Sequence, residues 1–284
     1  MTRLGDFGRI AVIWLVTSTV GMVLVATVLA PHLPPGGAST EASGQRFDNE
    51  VLTLVSVPIV AMIVVYFGYV LIAFREREPS VLADGPPIRG HMRTQTIWIV
   101  VTTLTVLFLA AFGTYELLGG SGGGQGPNPA FVPAAQTTAA GVKREPLQVQ
   151  VIGQQWQFTF RYPSFGGFET AQLVLPVDRQ IELHVTSLDV IHSFWAYKLG
   201  VKADANPGVD NIAYVTPKHL GSFDLRCAEL CGLFHGYMFD TGRVVSGADF
   251  AKWVAGQRAF MQPVLKYLPP FEHSYLPEPT IRGG

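Results

Sequence analysis

Three stretches of this 284-residue chain carry no charged side chain over a length that can cross a bilayer: residues 10–30, 51–74 and 94–115. At about 1.5 Å per helical residue, a run of some 20 residues spans roughly 30 Å, the thickness of the hydrocarbon core. A helix buried inside a globular domain does not need more than about 18 consecutive apolar residues. The runs therefore predict transmembrane helices. They also account for a charged fraction of 14%, well below the roughly 25% of soluble domains. The net charge of −1 points away from nucleic acid as a partner.

Flanking charges set an orientation. Arg75, Arg77, Arg89 and Arg93 fall between the second and third runs, and Arg46 alone is the basic residue between the first and second. The basic connection is expected on the cytoplasmic side. The N-terminus then lies inside and everything after Glu116 outside. Residues 1–31 read as a first transmembrane helix or a signal segment. Arg3 and Arg9 precede the apolar run, and Ala26, Leu29 and Ala30 leave a cleavage pattern. Residues 32–118 read as a transmembrane helical hairpin. Residues 119–146, opening on a Gly/Ser run and continuing in Pro, Ala and Thr, read as a linker.

From Leu147 the periodicity changes. Leu147, Val149 and Val151 alternate with polar residues, as do Phe158, Phe160 and Tyr162. Short apolar runs follow at 173–177, 181–186, 212–216, 222–226 and 241–245, separated by Pro and Gly. This is the signature of a small β-sandwich or barrel. Residues 147–260 form that domain, closed by a short helix over 250–260 with Phe250, Trp253 and Val254 on one face. Residues 261–284 are a Pro-rich tail, expected to be extended.

The chemistry concentrates in one loop. Cys227, Cys231, His235 and Met238 fall within 12 residues after the predicted strand 222–226, and His192 is expected at the end of an earlier strand. Thiolate, imidazole and thioether together select copper among biological metals. His192, Cys231, His235 and Met238 would complete a blue-copper site, which leaves Cys227 surplus. A second thiolate four residues away can bridge two metals. Each metal then takes one His, with Met238 and a backbone carbonyl between the cysteines as weak donors. Three other readings stand beside this one: a Cys227–Cys231 disulfide, a structural zinc site that leaves Met238 idle, and two core cysteines.

These residues resemble the cytochrome c oxidase subunit II family. The match lies in Ile191-His192-Ser193-Phe194-Trp195, in Leu199 to Gly208 with its Asp204-Ala205-Asn206-Pro207-Gly208, in Cys227 to Met238 and in Gly153-Gln154-Gln155-Trp156. The resemblance implies a membrane-anchored, cupredoxin-like β-domain holding a dinuclear copper (CuA) centre. Cys227 and Cys231 would bridge, His192 and His235 would be terminal, and Met238 axial. Glu229 would lend its backbone carbonyl to copper and its side chain to a magnesium at the boundary with subunit I. Trp156 would be the point of electron entry. No Cys-x-x-Cys-His haem-attachment motif is present. The implied donor is thus a separate cytochrome c or a cytochrome-bearing complex, with Asp204, Asp210 and Asp224 as docking acids. The implied partners are subunit I and other oxidase subunits. The implied place is a prokaryotic plasma membrane, with the copper domain on its outer face. The implied activity is oxygen reduction to water in subunit I, coupled to proton translocation. Two rival readings are a copper-free structural subunit of a quinol oxidase and a membrane-tethered copper-delivery protein. Three positions depart from the family pattern: Val209 stands in place of Arg, Phe158 in place of a second tryptophan, and Gln95 in place of a glutamate at a proton-entry point. An amide cannot release a proton.

Overall fold

The computed structural model describes residues 5–75, 90–119, 136–137 and 143–268. Three long helices come first: α1 (Asp6–Leu24), α2 (Thr40–Ala73) and α3 (Met92–Gly119). A π-turn and a 3-10 turn carry α1 on to His32, and α2 starts at Thr40, ahead of its charge-free run. The chain divides into two compact units, Met1–Pro31 with Asn49–Gly119, and His32–Asp48 with Gly120–Gly284.

In the helical unit, large apolar side chains are exposed all along the helices, among them Leu15, Ile63, Val64, Leu104 and Leu107. Water does not tolerate apolar surface of that extent, and lipid does. The chain is anchored in a membrane by these helices, each long and apolar enough to cross it. Several of their hydroxyls are satisfied internally. Thr17, Thr27, Thr53, Ser56 and Thr105 each donate to the carbonyl four residues back, at 2.6–2.9 Å, as a hydrocarbon environment demands. α1 packs on α2 at specific points. Trp14 Nε1 donates to the Pro58 carbonyl at 2.8 Å, and a Cβ at Gly21 would lie 2.8 Å from Val57.

The second unit is a β-sandwich. Its strands are β3 (Leu147–Gln154), β4 (Gln157–Tyr162), β5 (Phe168–Thr170), β6 (Val174–Pro176), β7 (Ile181–Ser187), β8 (His192–Ala196), β9 (Val201–Ala205), β10 (Asn211–Val215), β11 (Gly221–Cys227) and β12 (Phe239–Val245). A two-residue ladder, β1 (Gln136–Thr137) with β2 (Lys143–Arg144), lies within the expected linker. The sheet orders are β10-β7-β3-β4-β5 and β6-β12-β11-β8-β9. The core between them is built by alternation: Phe223, Leu225 and Cys227 face inward from β11, while Ser222, Asp224 and Arg226 face out. Helix α4 (Gly247–Met261) closes one end. Its Phe250 and Trp253 pack on Tyr162 and Phe168, and Ser246 caps it by accepting from Asp249 N at 3.1 Å.

The first turns of α2 belong to this unit. Ser39 Oγ donates to Leu199 O at 2.7 Å and accepts from Ala42 N at 2.9 Å. The Glu41 carboxylate accepts from Thr216 N at 2.9 Å, and Gln45 Nε2 donates to Gly200 O at 2.7 Å. Gly200 has φ +64°, and a Cβ there would lie 2.8 Å from the Ala42 Cα.

Three expectations need correction. His192 opens β8 rather than ending a strand. β8 and β9 were not expected as strands; burial on both faces erases alternation in His192–Ala196, whereas Val201–Ala205 does alternate. The tail does not begin extended, since Leu265–Tyr267 forms a 3-10 turn. Residues 269–284 and most of the linker lie outside the described residues.

Candidate metal centre

Two sequence-distant segments meet at one end of the β6-β12-β11-β8-β9 sheet. Cys227 ends β11, whose register pairs it with Phe194 of β8. Its neighbour Ala228 donates N–H to Ser193 O at 2.8 Å. This antiparallel pairing carries His192, at the start of β8, to the side of Cys227. The loop then folds back, and Cys227 N donates to Met238 O at 3.0 Å. Gly232, at φ +118°, and a 3-10 turn over His235–Tyr237 make the reversal. Four of the donor side chains are thereby buried: His192, Cys227, Cys231 and Met238. His235 is half-buried, and the side chain of Glu229 is exposed.

The two cysteines are free, with Sγ atoms 3.8 Å apart. His192 Nδ1 lies 3.9 Å from Cys227 Sγ. His235 Nδ1 lies 3.6 Å and Met238 Sδ 3.8 Å from Cys231 Sγ. The Glu229 carbonyl accepts from Cys227 Sγ at 3.2 Å. Two donors sharing a tetrahedral ion at bond lengths of about 2.0–2.3 Å sit roughly 3.3–3.8 Å apart, so most of these gaps suit a shared ion and the Cys227–His192 gap is only slightly wider. The donor atoms of His192, Cys227 and Cys231 all lie within 4.8 Å of one another, and His235 falls outside that group. His192 thus stands beside Cys227, and His235 beside Cys231. Burial opposes a thiolate at Cys227, but His192 and the local backbone outweigh it and lower its pKa. Burial and the neighbouring Cys227 push Cys231 the other way. A cleft of roughly 430 Å³ opens onto Cys227, His235 and Met238, with Trp195, Arg226 and Phe239 on its walls.

Similarity to known proteins follows the same residues. The model of the periplasmic domain of cytochrome c oxidase subunit II matches residues 167–244. Cytochrome c oxidase subunit 2 of Thermostichus vulcanus is 29% identical over 280 residues, covering 86% of this chain and 84% of that one. The subunit 2 of a Synechocystis species is 31% identical over 215 residues, covering 66% and 64%. The chain is similar to cytochrome c oxidase subunit II proteins over most of its length. Among solved structures, the periplasmic domain of subunit II from Bradyrhizobium japonicum is 32% identical, covers 46% of this chain and 99% of its own, and superposes with a TM-score of 0.41.

Against that family pattern, Trp156 lies beside the cysteine loop. Its Nε1 donates to Cys231 O at 3.3 Å, and its ring meets Phe234 edge-on at 4.8 Å. Of the three acids expected at a docking face, Asp210 is engaged by His184 Nδ1 at 2.8 Å. Asp204 lies 3.9 Å from Lys202 Nζ. Asp224 is on the outer face of β11. Among the described residues no second group of three His, Cys, Asp or Glu donors converges. Glu229 presents one exposed carboxylate.

Three residues around the centre were not anticipated. Asp189 Oδ1 lies 2.8 Å from His192 Nε2, the ring nitrogen that points away from the sulfurs. Burial disfavours charge on Asp189, but His192 and the N–H groups of Gln155 and Val190 outweigh it and lower its pKa. A histidine that binds metal commonly gives its other N–H to a carboxylate, and Asp189 is the acid nearest His192 in sequence. That rule could have found it. Gly153 lies under the same ring, where a Cβ would sit 3.0–3.3 Å from His192 atoms. Gln155 Nε2 donates to Cys231 O at 2.8 Å. Nothing local in the sequence marks either position.

Proposed function

We propose that this chain is the electron-entry subunit of a haem–copper cytochrome c oxidase. It takes electrons from a cytochrome c, or a cytochrome-bearing complex, at a dinuclear copper centre. It passes them to haem in subunit I, where oxygen is reduced to water with proton translocation. The observation that carries the reading is the pair of unbonded sulfurs 3.8 Å apart with one imidazole beside each. Cys227, Cys231, His192 and His235 would hold the copper, with Met238 and the Glu229 carbonyl as weaker donors.

When bound, the copper pair would supply a one-electron carrier. The chain's own residues do the rest. The sandwich holds four of the donor side chains out of water, so that no solvent must reorganise around them. Asp189 orients the His192 ring. Trp156 offers an aromatic surface that reaches the Cys231 carbonyl. The exposed Glu229 side chain is available to a cation shared with subunit I, whose other ligands would come from that partner. Burial of the donors also favours a resident metal over one that is handed on.

The β unit is assigned to the outer, periplasmic or extracellular, side. The connection 32–48 is bonded to Thr216 and Gly200, so it lies on the same side as the β unit. An even number of crossings must then separate them, as α2 and α3 provide. The arginines of the 75–93 connection put that connection inside.

The test is the full chain in its assembled oxidase. Two coppers per complex beyond the one of subunit I and a delocalised mixed-valence signal in the near-infrared and electron-paramagnetic spectra are expected, with the metal retained on dialysis. Cys227→Ser should abolish the signal. An unchanged signal in that variant refutes the bridge, and loss of copper on dialysis favours a delivery protein.

A further inference from the structure

The hairpin of β3 and β4 closes on the pair Gln154–Gln157, which leaves Gln155 and Trp156 as a two-residue tip. The indole is half-buried and packs at the edge of the core, with one hydrogen bond of 3.3 Å and one ring-edge contact. The residue beside it is tied on two sides. The Gln155 main-chain N–H donates to Asp189 Oδ2 at 2.7 Å, a short charge-assisted bond of the stronger kind. Its side-chain Nε2 donates at 2.8 Å to the same Cys231 carbonyl that the indole reaches. Asp189 is itself fixed, because Oδ1 accepts from Val190 N at 2.6 Å and lies 2.8 Å from His192 Nε2. The close approach of the tip to the loop needs a residue without a side chain: a Cβ at Gly232 would lie 2.9 Å from Gln155 Nε2.

We infer that Gln155 and Asp189 are positioning residues, a clamp that joins the tip bearing Trp156 to both halves of the metal centre. This rests on the reading of Trp156 as the electron-entry residue. Gln155 ties the tip to the Cys231 side through its amide, and Asp189 ties it to the His192 side through its carboxylate. Neither touches a donor protein's haem or supplies a metal ligand. Their work is to keep the gap between indole and metal constant, since transfer through an aromatic relay is sensitive to small misplacement. Asp189 serves the Gln155 N–H with Oδ2, and the Val190 N–H and His192 Nε2 with Oδ1. Asparagine keeps an acceptor at only one of these two oxygen positions.

The experiment uses the full chain labelled with 5-fluorotryptophan, copper-free in detergent, and the same variants in the assembled oxidase. The fluorine resonance of Trp156 is identified by its absence in Trp156→Phe. In Gln155→Ala that resonance should shift toward its solvent-exposed position while the other four stay in place. Donor oxidation by the oxidase should slow about threefold to tenfold, with copper content and near-infrared spectrum unchanged. Gln155→Asn, with a shorter amide, should give a smaller loss than Gln155→Ala. Asp189→Asn should move the same resonance and also the spectrum, because it touches a ligand. An unmoved Trp156 resonance in Gln155→Ala overturns the clamp. A moved resonance with full donor oxidation in Gln155→Ala, while Trp156→Phe is slow, overturns its positioning role. Full donor oxidation in Trp156→Phe overturns the entry reading instead, and the fluorine spectra still report separately whether the clamp exists.

Discussion

At the residue scale, the centre depends on small clearances. Gly153 has no positive φ, so an alanine there meets no backbone strain. Its Cβ would press on the His192 ring from about 3 Å. The ring must shift from its present place beside Cys227, so Gly153→Ala should keep the fold yet alter the copper spectrum and weaken metal retention, measured by copper content after chelator challenge. A second residue-scale prediction concerns His184, buried between Asp210 at 2.8 Å and Glu182 at 3.4 Å. Burial opposes its charge, but the two acids prevail and raise its pKa from 6.5 to about 9. Its folded value exceeds its unfolded one. Its contribution is therefore complete below pH 6.5 and lost as pH rises through 9. That contribution is on the order of 2 kcal/mol, allowing for screening of the partly exposed acids. Thermal unfolding of the detergent-solubilised chain should show a fall between these pH values that His184→Gln flattens.

At the element scale, the start of α2 is held by the β unit rather than by helix propensity. Glu41 is buried and satisfies the Thr216 N–H. Glu41→Ala leaves a buried donor unpaired, at a cost of about 1–3 kcal/mol. Gly200→Val should cost more, because φ +64° and the Ala42 backbone at 2.8 Å both exclude a side chain. Both variants should lower the unfolding temperature of the β unit and leave the helices unfolded no earlier, as read by circular dichroism at strand and helix wavelengths. Alternation in β11 has a further consequence: it points Cys227 into the core alongside Phe223 and Leu225, where a charged replacement would be buried.

At the scale of the whole molecule, the rim of the candidate centre is apolar. Ile191, Leu230, Leu233, Phe234 and Tyr237 are exposed there, and Asp210 is already paired. Donor docking should therefore draw chiefly on apolar burial, and donor oxidation should change little with ionic strength. A steep fall with salt would return the weight to Asp204, Asp224 and Glu229. For the membrane, a reporter fused after Glu116 should be active outside, and one placed in the 75–93 connection should be active inside.

The chain's own letters were enough for whatever rests on local chemistry. Twenty-odd apolar residues without a charge have no stable place in water, so the three helices could be read off directly. Alternating runs announced the strands, and a soft donor set in 12 residues announced a metal. Even there the legible part stopped where both faces of a strand are buried, as at His192–Ala196, where the pattern vanishes. Tertiary structure alone decided which histidine stands by which sulfur, because that follows from the register of β11 against β8. It also brought Asp189 to His192, Gln155 to the Cys231 carbonyl and the 32–48 connection onto the sandwich. Residues separated by 76 positions, as Gln155 and Cys231 are, carry no mark of each other in a single sequence, since only closure of the fold brings them within reach of a hydrogen bond.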